Sequence, residues 1–229
     1  MPNKPRLVIL LSGRGRNAGV LIGAVQDGRV PAQLAAVISN RADAEGVAIA
    51  QSAGIPTLVI PHQDFPTRAA FDEVLAQRLR ALAPDIVALA GFMRVLTDDF
   101  VREFQGRLLN IHPSLLPKYP GLKTHQRAID AAEAEHGATV HFVTPQLDGG
   151  PPVIQGRLSV QPEDDAEHLA ARVLETIELK IYPQAVAWMA RGDLSLRGEE
   201  VWFRSARLLR PLSLDDLEGD FDDRQGEGQ

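Results

Sequence analysis

The sequence predicts an α/β domain on a mainly parallel sheet, and three observations lead there. Apolar runs at 7–11, 34–39, 57–60, 86–90 and 108–111 have the length of strands, and several are continuous enough to be buried on both faces. Helical patterns lie between them; in 67–82, Phe71, Val74, Leu75 and Leu79 recur at helical spacing and Pro84 ends the run. Loops marked by Gly or Pro, at 12–17, 91–96 and 110–121, follow three of the runs. Parallel sheets are connected by such alternation, and their ligands bind outside the carboxyl ends of the strands.

Taken in order, 7–11 reads as a first strand rather than a signal peptide. The apolar run is short, and Gly-Arg-Gly-Arg stands where a cleavage site would be. A helix is expected over 18–26. Asp43 is expected to cap a helix reaching Ala53 and closed by Gly54, and Thr97 to cap a short helix through Phe104. From Thr124 the pattern reads as helix up to Gly137, then as strands over 138–144 and 153–160. Glu163, Asp164 and Asp165 suit the N-terminus of a long helix running to Lys180, with Pro183 starting or kinking a segment through Ala190. A hairpin of 194–196 and 201–203 closes the domain around Arg197 and Gly198. One domain over 1–210 is expected, with the acidic 211–229 as a disordered tail.

With 229 residues, 45% of them hydrophobic and 24% charged, the chain has ordinary globular composition and length for one real core. A net charge of −6 speaks against a nonspecific nucleic-acid binder, while leaving room for a local basic site. The lack of cysteine excludes disulfides, thiolate ligands and a cysteine nucleophile, and fits a reducing compartment. No stretch approaches the ~20 apolar residues of a membrane span, so a cytoplasmic protein is expected.

Two stretches carry chemistry. Ser12-Gly13-Arg14-Gly15-Arg16-Asn17, between a strand and a helix, forms an anion cradle: exposed backbone N–H groups and the helix dipole favour a phosphate. The same glycines would also serve a turn that binds nothing. In 108–121, a buried run delivers Asn110 and His112 at alternate positions, hence on one strand face. Pro113, Pro117 and Pro120 then prevent sheet or helix from continuing. An Asn can donate to a developing oxyanion and a His can move a proton near neutral pH, although a His-Pro loop read alone is equally compatible with a structural role. His141, inside a strand, reads as a packed or hydrogen-bonded residue whose nearness to Asp148 leaves a supporting role open.

Four segments, LLSGRGRN, ALAGFMRVL, LLNIHPSLLPKYPGLKTHQRAI and HFVTPQLDGGP, together resemble the glycinamide ribonucleotide formyltransferase family, over roughly residues 6–203. The resemblance implies a Rossmann-like, mainly parallel sheet flanked by helices, with a nucleotide-binding half at about 1–110. A folate and catalytic half at about 111–210 would add strands and a long helix. It implies transfer of the formyl group of 10-formyltetrahydrofolate to the amino group of glycinamide ribonucleotide in purine synthesis, without a metal, by a monomer or homodimer. His112 would be the general acid/base, and Asn110 would hydrogen-bond the formyl oxygen of the bound cofactor as it becomes an alkoxide. Asp148 would sustain protonated His112, directly or through an ordered water, and relay a proton. Gly15, Arg16 and Asn17 would hold the substrate phosphate and Glu178 its ribose. Met93, Arg94, Val95 and Leu96 would line the folate site, with Arg68 and Arg94 near the folate tail.

Two residues depart from the family pattern. Arg16 stands where Ser is usual, losing a hydroxyl but adding a guanidinium that either binds the phosphate or points into solvent. Lys123 stands where a His is common. Rival readings are a methionyl-tRNA formyltransferase, a formyltetrahydrofolate hydrolase, an NADP-dependent oxidoreductase using Gly13-x-Gly15 and Ser39-Asn40-Arg41, and a noncatalytic folate or nucleotide binder. The oxidoreductase leaves Asn110, His112 and Asp148 without a purpose.

Overall fold

The computed structural model describes residues 4–222. Its centre is a seven-stranded sheet. The strands are β1 (Arg6–Leu11), β2 (Gln33–Ser39), β3 (Thr57–Val59), β4 (Ile86–Leu89), β5 (Leu108–His112), β6 (Glu135–Phe142) and β7 (Pro152–Ser159), arranged β3-β2-β1-β4-β5-β6-β7. The first five are parallel, while β6 and β7 run antiparallel at one edge. Chain order reverses between β1 and β4, so their carboxyl ends diverge into a crevice, the usual ligand position in an open α/β sheet.

Successive side chains of β1 enter opposite cores. Leu7, Ile9 and Leu11 pack on the face covered by α1 (Arg16–Gln26) and α7 (Leu179–Arg191). Val8 and Leu10 pack on the face covered by α3 (Arg68–Leu82) and α4 (Asp98–Glu103). Burial on both faces explains why these strands read as unbroken apolar runs. Beyond α7, a small antiparallel sheet forms from β8 (Leu194–Arg197), β9 (Glu200–Phe203) and β10 (Ala206–Arg207). The mainly parallel flanked sheet, the added strands and the long helix are thus all present. The two-residue strand β10 left no periodicity in the sequence.

Several boundaries differ from expectation. The helix α5 starts at Thr124 but stops at Asp130, not near Gly137. Ala132 adopts φ 50°, and Glu135 and His136 already pair with Ser159 and Leu158. Strand pairing overrides the helix propensity of this Ala- and Glu-rich stretch. Asp43 does not cap the helix α2 (Glu45–Ser52): Ala44 takes the cap position, while Arg41 holds the Asp43 carboxylate at 2.6 Å. Thr97 does occupy the cap of α4, but its side chain makes no capping bond. The first helix begins at Arg16, two residues early. The long C-terminal helix is compound. Asp165 caps α6 (Ala166–Val173) by accepting from the Glu167 and His168 N–H groups, and a π turn over Leu174–Glu178 joins it to α7.

The expected disordered tail is ordered through Asp222. Leu212 bridges Ile154 in parallel, Ser213 and Asp216 form a capping box, and Leu217 and Phe221 are buried in the core. Leu217 and Phe221 thus anchor an otherwise acidic segment in the core. The remaining part of the expected tail lies outside the described residues.

Candidate active site

Tyr182, on α7 and fully buried, places its hydroxyl 2.9 Å from the Leu89 carbonyl and 3.1 Å from the Leu109 carbonyl. It fastens β4 to β5 just before both release their loops. Leu109 and Ile111 enter one core and Leu108 the other, so Asn110 and His112 continue the second face beyond its helices. The loop after His112 is pinned to the sheet. Thr139 Oγ1 donates to the Ser114 carbonyl at 2.7 Å and accepts from the Leu116 N–H at 3.1 Å, and Gln155 Nε2 donates to the Leu116 carbonyl at 2.7 Å.

His112 is only 6% exposed. Its Nε2 lies 2.9 Å from the Tyr119 carbonyl, which can only accept, so the proton resides there. Nδ1 is left as the atom that can gain and lose a proton, and it faces Asp148 Oδ2 at 3.5 Å. Asp148 Oδ2 also accepts from the Gly121 N–H at 2.8 Å, which aims the carboxylate at the histidine. Asp148 itself has φ 49°, a region Asp tolerates better than most residues. Gly150 makes that loop possible: a Cβ there would stand 1.8 Å from the Phe142 carbonyl oxygen.

His141 acquires a defined role from its register opposite Asn110. Its Nδ1 donates to the Phe142 carbonyl at 2.9 Å, so Nε2 is a bare acceptor, 3.1 Å from Asn110 Nδ2. Burial, opposed by the Phe142 hydrogen bond, holds the imidazole below its ordinary pKa and hence neutral. The contact therefore fixes which end of the Asn110 amide is nitrogen and keeps it as a donor. Nearness to Asp148 was the available clue in the sequence, but the bond to Asn110 needed the antiparallel register.

Asn110, His112 and Asp148 line one cavity of about 470 Å³, together with Met93, Arg94, Val95 and Leu96. Arg94 stacks on Phe71 with its guanidinium carbon 4.5 Å from the ring centroid. Met93 at 68% exposed and Leu147 at 52% form an apolar rim. Arg68 is exposed at the start of α3 and lines neither this cavity nor its neighbour. Lys123 and His125, from the start of α5, line the same cavity.

The neighbouring cavity, about 570 Å³, is lined by residues 12–17 with Asn40, Arg41 and His62. The two cavities meet at Gly91 and Met93, and Ser12 Oγ accepts from the Met93 N–H at 2.8 Å. All three expected loops thus converge at the crevice between β1 and β4. Gly15 caps α1 at φ 74°, with no side-chain cap, leaving the first N–H groups for a ligand. A Cβ on Gly15 would meet the Gly46 Cα at 2.4 Å. Asn17 donates to Glu178 Oε2 at 2.7 Å, and burial raises the Glu178 pKa. Among the described residues, Asn17 Oδ1 is buried without a hydrogen-bond partner. Arg16 does not simply point into solvent: it pairs with Glu175, a residue absent from the sequence reading though it lies one helical turn before Glu178.

Residues 5–186 match the family described as formyl transferase. The chain belongs to the formyl transferase family. The phosphoribosylglycinamide formyltransferase of Escherichia coli is 45% identical over 202 residues, covering 88% of this chain and 95% of that one. The trifunctional purine biosynthetic protein adenosine-3 of Homo sapiens is 39% identical over 203 residues, which are 88% of this chain and 20% of that much longer protein. Among solved structures, the phosphoribosylglycinamide formyltransferase of Coxiella burnetii superposes with a TM-score of 0.87 at 45% identity, covering 92% of this chain and 99% of that one. The formyl transferase fold therefore accounts for the sheet and the crevice together. Among the described residues, no helix is long and apolar enough to cross a membrane.

Proposed function

We propose that this formyl transferase moves the formyl group of 10-formyltetrahydrofolate onto the amino group of glycinamide ribonucleotide. The observation that carries this reading is the meeting of two cavities: a phosphate cradle opens directly into an apolar cleft ending at Asn110, His112 and Asp148. A ribonucleotide with its phosphate at Gly15–Asn17 extends its amine toward the centre. The folate pterin enters past Met93–Leu96, where backbone groups read its polar edge. The unpartnered Asn17 Oδ1 and the Glu178 carboxyl offer acceptors to ribose hydroxyls.

The amine attacks the formyl carbon, forming a C–N bond and a tetrahedral intermediate with negative oxygen and positive nitrogen. Asn110 donates to that oxygen, a contribution of about 3 kcal/mol when the donor is preplaced. His112 Nδ1 takes the proton from the new ammonium and delivers it to the folate nitrogen, whose bond to carbon then breaks. Asp148 faces the imidazolium and stabilises its charge while the proton is in transit. Arg68, exposed on α3, is left to the solvent-facing folate tail.

Formyl transfer followed by absorbance, with glycinamide ribonucleotide or water as acceptor, tests the reading. Dependence on the ribonucleotide is expected. Equal folate release without it would instead support the hydrolase.

A further inference from the structure

The phosphate cradle carries its own counter-charge. Arg16 Nη2 pairs with Glu175 Oε1, and both side chains are about half exposed, 54% and 53%. Three residues later in the same π turn, Glu178 binds Asn17. Two carboxylates from one irregular helical turn thus address consecutive residues of the loop, but in different ways. Glu178 is buried and fixed, whereas Glu175 can swing into solvent without losing a buried contact. The π turn widens the helix there, a distortion that recurs at functional sites.

A phosphate dianion on the backbone N–H groups of residues 15–17 would sit beside Arg16. It would sit beside Glu175 as well, if that carboxylate stayed in place. The arginine fork binds carboxylate and phosphate oxygens with the same geometry, and an exposed ion pair is weak enough to exchange. We propose that Glu175 is an internal stand-in for the substrate phosphate: it pairs with Arg16 in the absence of substrate and is displaced when the phosphate binds. The inference rests on the proposed placement of the phosphate at this loop. It makes Arg16 a phosphate-binding residue whose affinity is held down by its partner, so that the cradle rejects ligands without a dianion to offer in exchange.

The test is calorimetric titration of the full chain with ribose 5-phosphate, with ribose as control, at low salt. Four proteins are compared: the unaltered chain, Glu175→Gln, Arg16→Ser and the double variant. Glu175→Gln is expected to tighten ribose 5-phosphate binding about fivefold, near the upper end for an exposed pair, with the gain shrinking as salt rises. Arg16→Ser is expected to weaken binding by a similar factor. In the Arg16→Ser background, the gain from Glu175→Gln should fall below about twofold, because the two residues act as one unit. Unchanged or weaker binding by Glu175→Gln overturns the proposal. So does a full gain in the Arg16→Ser background, which would reduce Glu175 to bulk charge, or failure of all four proteins to bind ribose 5-phosphate. A chain that binds in the expected pattern but formylates no glycinamide ribonucleotide would sink the proposed function and leave this inference standing.

Discussion

The proposed catalytic arrangement is a chain of fixed tautomers. The Tyr119 carbonyl commits His112 Nε2, the Phe142 carbonyl commits His141 Nδ1, and the bare His141 Nε2 then orients the Asn110 amide. Replacing His112 or Asp148 by Ala should lower turnover at least ~100-fold, the scale of a positioned acid/base, with circular dichroism unchanged. Near-normal turnover by either variant would remove the mechanism. His141→Leu leaves Asn110 without its partner while keeping the bulk, so kcat should fall about tenfold with little change in either KM. A variant affected only in KM would show that His141 supports binding instead. The Asn-x-His spacing was legible because alternation along a strand needs no tertiary knowledge, whereas the His141 bond and the Arg16–Glu175 pair join residues 31 and 159 positions apart.

Between elements, the points of close approach are narrow. Gly15 lets the start of α1 lie against α2, and Gly15→Ala combines a positive φ with a backbone clash. A loss of roughly 2–3 kcal/mol in urea unfolding is expected, together with weaker phosphate binding. A fully stable variant would show that the loop is free to move. The contact between α5 and β6 is a pair of histidines, with His136 Nε2 3.0 Å from His125 Nδ1. Burial, then the neighbouring His136 and His112, lower the His125 pKa from 6.5 to about 4, and burial also lowers that of His136. The folded protein therefore resists protons that the unfolded chain accepts below 6.5. The stability this pair contributes is complete above pH 6.5 and is lost as pH falls toward 4. His125→Gln should flatten the fall in urea midpoint over that window, and an equally steep fall would exclude the pair as its source. Strand runs and their loops were legible because burial on both faces leaves a continuous apolar record. The end of α5 was not, because Glu135 and His136 join a strand through pairing with Leu158 and Ser159 rather than through any local preference.

At the scale of the whole molecule, the C-terminal segment acts as a strap across the end of α7. Glu218 accepts from Trp188 Nε1 at 3.0 Å, from Gln184 Nε2 at 3.3 Å and from both Arg191 and Arg204. Against the penalty of burial, these donors hold its carboxyl below the usual range. Arg29 of the loop after α1 donates to the Asp220 carbonyl and lies over the Phe221 ring, tying the strap to that loop as well. Glu218→Ala should cost about 2 kcal/mol in thermal or urea unfolding by stranding the Trp188 and Gln184 donors, while leaving KM for both substrates unchanged. The sequence hid this strap because its charge and low periodicity describe the surface it shows, not the two apolar residues it buries. The central claim is that the Asn110, His112 and Asp148 centre passes a formyl group to an amine held by the phosphate cradle. Its most direct test follows a carbon-13 formyl label on 10-formyltetrahydrofolate by NMR in the presence of glycinamide ribonucleotide. The account predicts that the label appears in the formamide of the ribonucleotide, one for each tetrahydrofolate released, and that His112→Ala all but stops it. Label recovered as free formate, or transfer that survives in His112→Ala, would contradict it.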